Sequence, residues 1–195
     1  MATGRYFAQR IYSSFDFAFS RIMRFNVTWR LIPVSRLLNL MTTRRKTIIG
    51  VIGAAQPSPH GLALAESVGR EIARRGAVLV CGGLSGVMEA AARGAFEAGG
   101  EVVGILPGPE SASANPFVTL AVPTNMGHAR NVIIAHTAEA LIAVEGEYGT
   151  LSETAIGLKL DKPVVVLPGA QSVAGTLFAD SAGSAVSIAF ESLNK

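Results

Sequence analysis

Residues 77–86 read Ala77-Val78-Leu79-Val80-Cys81-Gly82-Gly83-Leu84-Ser85-Gly86, an apolar run that stops abruptly at a glycine turn. The run does not alternate with polar residues, which is the pattern of a strand covered on both faces. A helical stretch follows at once, over 86–98. Strand, glycine turn and helix in that order make the repeating unit of a parallel sheet.

The unit recurs on either side. Short apolar or β-branched runs at 47–53, 101–106, 118–122, 141–144 and 163–167 read as further strands. Helices are expected over 60–75, 127–138, 150–160 and 182–193, between and after them. This alternation implies parallel pairing with right-handed crossovers. The expected fold is α/β, a Rossmann-like doubly wound parallel sheet in a single domain over 41–195. In open sheets of this kind ligands sit beyond the strand C-termini, where the strand order reverses, so the turns there are the places to look for function.

The chain has 195 residues, 49% of them apolar and 16% charged, enough for one ordinary core. A single cysteine, Cys81, allows no internal disulfide and no thiolate metal cluster, and it suits a reducing compartment such as the cytoplasm. Its plainest reading is a small buried residue at a strand end. Three scattered histidines, His60, His128 and His136, have no metal-ligand spacing, so neither a metal nor a resident cofactor is expected.

The net charge of +3 conceals an asymmetry. Residues 1–40 hold six arginines against one acid, Asp16, whereas the rest holds eleven basic and thirteen acidic residues. The basic balance therefore belongs to the N-terminal segment and gives no reason to expect nucleic-acid binding. That segment spaces Phe7, Ile11, Phe15, Ala18, Ile22, Phe25 and Trp29 along one helical face. It reads as a basic amphipathic extension, either a transit-like leader into an organelle matrix or an over-extended start upstream of Met41. Its arginines recur too often for a membrane span.

Three turns can carry chemistry. Gly50-Val51-Ile52-Gly53-Ala54-Ala55 lacks the GxGxxG spacing of a dinucleotide site, and close strand-to-helix packing would explain its glycines. In Cys81-Gly82-Gly83-Leu84-Ser85-Gly86-Val87-Met88, glycines let the backbone approach a ligand and the helix N-terminus attracts an anion. No lysine follows as in a triphosphate loop, and a purely structural turn stays open. The third is Glu145-Gly146-Glu147-Tyr148-Gly149-Thr150-Leu151-Ser152-Glu153. Here Thr150 and Glu153 fit a capping box at a helix start, which competes with a catalytic reading of Glu153. Arg130, in Met126-Gly127-His128-Ala129-Arg130-Asn131, sits near a helix start, where the dipole disfavours a cation; an anionic ligand, Glu153 or plain solvation would offset that.

Together these turns resemble the LONELY GUY (LOG) family and the wider Rossmann superfamily around it. The family pattern P-G-G-x-G-T-x-x-E is similar to residues 145–153, matching at Gly146, Gly149, Thr150 and Glu153. M-H-x-R-K is similar to residues 126–131 with one inserted glycine. Gly82-Gly83-Leu84-Ser85-Gly86-Val87-Met88 resembles the family's first phosphate turn. The resemblance implies nucleoside 5′-monophosphate phosphoribohydrolase activity, with Arg130 and Glu153 as the catalytic pair. It also implies a phosphate-binding set of Gly53, Gly82, Gly83, Ser85, Gly86, Met88, Asn131, Gly146, Gly149 and Thr150.

The chain departs from the pattern where Asn131 replaces a lysine and where Glu145 and Glu147 replace a proline and a glycine. Each change weakens the attraction for a dianionic phosphate. A second branch that the chain resembles, the molybdenum cofactor carrier proteins, keeps an Arg-Asn pair and stores a pterin phosphate without hydrolysis. The expected ligand is thus a nucleotide-like or pterin-phosphate small molecule, bound with or without cleavage. The resembling families also imply a homodimer or homotetramer.

Overall fold

The computed structural model describes residues 45–194. The expected extension over 1–40 lies outside the described residues.

Seven strands form one parallel sheet: β1 (Ile48–Gly53), β2 (Val78–Cys81), β3 (Val102–Leu106), β4 (Leu120–Pro123), β5 (Ala140–Val144), β6 (Val164–Val166) and β7 (Leu177–Phe178). Their order is β4-β3-β2-β1-β5-β6-β7. Among the described residues five helices accompany them: α1 (Pro59–Arg74), α2 (Val87–Glu97), α3 (Arg130–Thr137), α4 (Tyr148–Lys159) and α5 (Ala182–Leu193). This is the Rossmann-like α/β fold that the alternation predicts.

The uninterrupted apolar strands are explained by two cores. Ile49 and Val51 of β1, with Ala140, Ile142 and Val144 of β5, face a core completed by α1, α2 and α5. Ile52, Leu141 and Ala143 point the other way, into a core with α3 and the α4 residues Ile156 and Leu158. Because successive side chains alternate across the sheet, a strand buried on both faces must be apolar at every position.

Helix starts follow local chemistry. The Ser58 hydroxyl accepts the Gly61 N–H at 3.0 Å ahead of Pro59 in α1, and Ser181 accepts the Ser184 N–H ahead of α5. The helix expected over 127–138 divides into a 3-10 turn, Gly127–Ala129, and α3, so Arg130 opens α3. β7 falls where no strand was expected. No helix among the described residues is long and apolar enough to cross a membrane.

The order places β1 at the switch point. The chain runs outward from β1 through β2, β3 and β4, then returns to β5 on its other side. Loops after β1 and β5 must therefore part in opposite directions and leave a crevice.

Candidate functional site

A cavity of about 540 Å³ occupies that crevice. Its floor is the end of β1, Val51, Ile52 and Gly53, and the loop Ala54-Ala55-Gln56 forms one rim. Gly82, Leu84 and Met88 close the β2 side, and His128, Arg130 and Asn131 come from the start of α3. Glu147, Gly149, Thr150 and Glu153 come from the start of α4. Of the twelve residues named from sequence, Arg130, Glu153, Gly53, Gly82, Met88, Asn131, Gly149 and Thr150 line this one cavity.

The other four have different duties. Gly83, at φ +72°, packs against Gly104 and Leu106 of β3. Gly86, at φ +73°, is pressed against the carbonyls of Ala54 and Ala55, and the N–H of Val87 donates to Ala54 O at 3.0 Å. The first amide of α2 is thus consumed by the β1 loop rather than left open to an anion. Ser85 is exposed and does not line the cavity. Gly146 packs against Thr150, within the turn.

The capping box between Thr150 and Glu153 is not what forms. Glu147 is the N-cap, and its carbonyl accepts the Leu151 N–H at 2.9 Å, so α4 begins three residues earlier than the box requires. Gly146, at φ +119°, makes the turn that permits this. Thr150 becomes the third helical residue and Glu153 lies in the second turn, beyond reach of the orphan amides.

Glu153 is only 7% exposed and makes no hydrogen bond or ion pair with another described residue. Among the described residues, no fully enclosed side-chain nitrogen or oxygen lacks a partner. The unpartnered Glu153 oxygens therefore open onto the cavity. Burial pushes its carboxyl up to about 7, against the opposing pull of Arg130. Arg130 is half-buried and likewise unpaired within 4.0 Å of a described carboxylate. Burial lowers its pKa, while Glu153 and Cys81 act the other way. The guanidinium and carboxylate feel each other's charge without closing an ion pair, so each keeps hydrogen-bonding capacity for something between them.

Glycine at 82 makes room for this. A Cβ there would run into the Arg130 guanidinium and lie 2.6 Å from Met88 Sδ. Beneath, the Cys81 thiol is fully buried, accepts the Gly83 N–H at 3.4 Å, and is pushed up to about 11 chiefly by desolvation.

The departures at 131, 145 and 147 resolve separately. Asn131 is buried and donates to Gly149 O and Ser152 Oγ at 3.4 and 3.3 Å, tying α3 to α4. Glu145 does not crowd the anion site, because Ser58 holds its carboxylate through both backbone N–H and hydroxyl, at 2.9 and 2.5 Å. Those bonds keep Glu145 below the usual carboxylate range. Glu147 does line the cavity and is exposed. Sequence reasoning did not single out Gln56, Leu84 or His128 as site residues. Among the described residues no group of three or more acidic, histidine or cysteine side chains could hold a metal ion.

Comparisons with known proteins identify the family and the fold. Residues 46–192 match the model of the SLOG cluster4 family. An uncharacterized protein of Archaeoglobus fulgidus is 52% identical over 119 residues, covering 61% of this chain and 78% of that protein. A cytokinin riboside 5′-monophosphate phosphoribohydrolase of Rhodococcoides fascians is 40% identical over 97 residues, 46% of this chain and about half, 48%, of that enzyme. Among solved structures, the molybdenum cofactor binding protein of Rippkaea orientalis superposes with a TM-score of 0.73 at 34% identity, covering 78% of this chain and 100% of that one. The molybdenum cofactor carrier protein of Chlamydomonas reinhardtii gives 0.70 at 35% identity, over 77% and 100%.

Proposed function

Because this chain belongs to the SLOG cluster4 family, we propose that it binds a phosphate-bearing, nucleotide- or pterin-type small molecule in the cavity between β1 and β5. The observation that carries this is Arg130, a half-buried guanidinium with no described carboxylate partner, facing a cavity with an apolar floor of Val51 and Ile52. Burying a cation without a partner is costly, and an anionic ligand repays that cost. The ligand's phosphate lies at Arg130, and Leu84 and Met88 border the rest of it.

Retention without cleavage is the favoured reading. The two cofactor-binding neighbours are matched along their whole length, whereas the hydrolase relative is matched over half of its own. Glu147 stands at the cavity, and Asn131 is spent on holding helices together. Native mass spectrometry of the purified protein tests this by the mass of what it retains.

Hydrolysis of a nucleoside monophosphate is the second reading, and Glu153 is what favours it. A buried carboxyl poised near neutrality suits proton transfer, and ionised it would stabilise positive charge at a ribosyl carbon. Incubation with AMP separates the two: free adenine supports cleavage, and saturable binding without adenine supports retention.

The same proposal includes a homodimer or homotetramer. Met126, Val132 and Tyr148, on the segments that flank the cavity, are 50%, 43% and 84% exposed. Light scattering at micromolar concentration decides, and a monodisperse monomer would overturn it. The free, buried Cys81 fits a reducing cytoplasm or organelle matrix, to be tested by cell fractionation.

A further inference from the structure

We infer that, wherever Glu153 is ionised beforehand, the cavity takes up a proton on it when it takes up an anion at Arg130. The inference rests on the anion-binding reading above and adds the protonation state in which the ligand is held.

The charges facing the cavity from each element are few. Among the described residues, α3 and its preceding turn offer Arg130 and His128, and α4 offers Glu147 and Glu153. β2 ends in Cys81, fully buried behind the cavity wall, whose thiol stays neutral. β1 contributes no charged side chain, and Glu145 after β5 is turned away onto Ser58. With both acids ionised, one permanent cation faces two carboxylates. An anion entering this space meets the Arg130 cation but also the charge of the largely buried Glu153, which no hydrogen bond from another described residue spreads.

Like charges in a low-dielectric crevice cannot be held together cheaply, and one proton removes the conflict. Glu153 is the group that can accept it. At 7% exposure, with free oxygens opening on the cavity, it is the group whose ionised form is least well accommodated. Protonation also turns it from an acceptor into a donor, so that it can hydrogen-bond an oxyanion instead of repelling it. Glu147 is exposed, so solvent screens its charge. The proton comes from solvent, and no bond is made or broken in the ligand.

Sulfate is the right probe, because its own charge does not change between pH 5.5 and 8.5. The full chain is titrated with sulfate by calorimetry in buffers of unlike ionisation enthalpy, which counts protons taken up. About one proton per sulfate is expected at pH 8 and close to none at pH 5.5. Affinity should weaken by up to about tenfold per pH unit above 7. Glu153→Gln should abolish both the uptake and the pH dependence, whereas His128→Gln should leave the uptake in place.

A carboxyl-carbon NMR titration of wild type gives a readout that no variant's folding can confuse. Saturating sulfate should move the Glu153 midpoint upward by about two pH units or more, the shift that uptake of about one proton at pH 8 requires. Sulfate binding without proton uptake at pH 8, or uptake that persists in Glu153→Gln and vanishes in His128→Gln, overturns the coupling. Failure of sulfate to bind at any pH overturns the anion site itself, and this inference with it.

Discussion

The space that a Cβ at Gly82 would fill is the space in which the Arg130 guanidinium lies. A residue at the end of β2 thereby sets how deeply a cation from α3 can reach into the crevice. The conflicting atoms, Arg130 Nη1 and Met88 Sδ, are ends of flexible side chains, so the fold can absorb a methyl group there while the site cannot. Gly82→Ala should therefore leave the thermal midpoint within about 4 °C of wild type. Its affinity for AMP or sulfate should fall by roughly tenfold, the worth of one displaced charge-assisted hydrogen bond. An unchanged dissociation constant would show that Arg130 does not hold the anion from this position.

Arg130 itself carries two effects that one substitution exposes. Arg130→Ala removes the anion's partner and should weaken binding by about 100-fold. It also removes the charge that draws the Glu153 carboxyl down, so that group should titrate still higher than about 7. Arg130→Lys should restore the second effect better than the first, since an ammonium is a charge but not a planar fork. Carboxyl titration by NMR alongside a binding isotherm reads both.

The contrast between Gly82 and its neighbours explains what was legible in the sequence. The fold was readable because strands such as β1 and β5, apolar at every position, admit only a sheet covered on both faces. β7 was not, being two exposed residues, Leu177 and Phe178, shorter than any periodicity. The turn at 82–86 was readable as a place of close approach, but not what approaches. Gly82 faces Arg130, Gly83 faces β3 and Gly86 faces the Ala54–Ala55 backbone, three directions set by tertiary packing alone.

The capping box failed for a related reason. Thr150-Leu151-Ser152-Glu153 satisfies the local rule, yet Gly146 lets the chain turn sooner and Glu147 takes the cap position. Gln56 and His128 reach the cavity from loops whose sequence carries no pattern of its own.

Away from the cavity, Lys162 anchors the far end of α3. Its ammonium donates to Ala135 O and His136 O, each at 2.7 Å, and to Ala138 O, collecting carbonyls that a helix C-terminus leaves unpaired. Burial lowers its pKa, but the carbonyls leave no better place for the charge. Lys162→Met should destabilise the fold by about 1–2 kcal/mol, seen as a lower urea midpoint with an unaltered slope. Arg130 opens the same helix, so weaker anion binding should accompany that loss only if the whole helix shifts. A midpoint equal to wild type would mean that water serves those carbonyls equally well.

Glu153 makes stability depend on pH in a direction opposite to most carboxylates. Its folded value, about 7, lies above the ordinary 4.5, so between those two pH values the folded state binds more protons than the unfolded. Stability from this group is fully present below about 4.5 and is lost as pH rises through about 7. Wild type should accordingly be more stable near pH 5 than near pH 8, as far as this residue is concerned. The shift corresponds to a ceiling of about 3 kcal/mol at the usual conversion per pH unit. Glu153→Gln keeps the shape and removes the titration, so histidines and surface acids cancel in the difference between the two proteins. The variant's advantage should grow from near zero at pH 4.5 to as much as about 3 kcal/mol at pH 8, measured by urea unfolding at each pH. A capping carboxylate would have given the reverse, an advantage for wild type at high pH, because an ionised oxygen bound to a helix-start amide is stabilised by folding. A gap that stays flat across this range would mean that Glu153 is not desolvated in the folded protein, and the reading of its oxygens as open only to the cavity would fall.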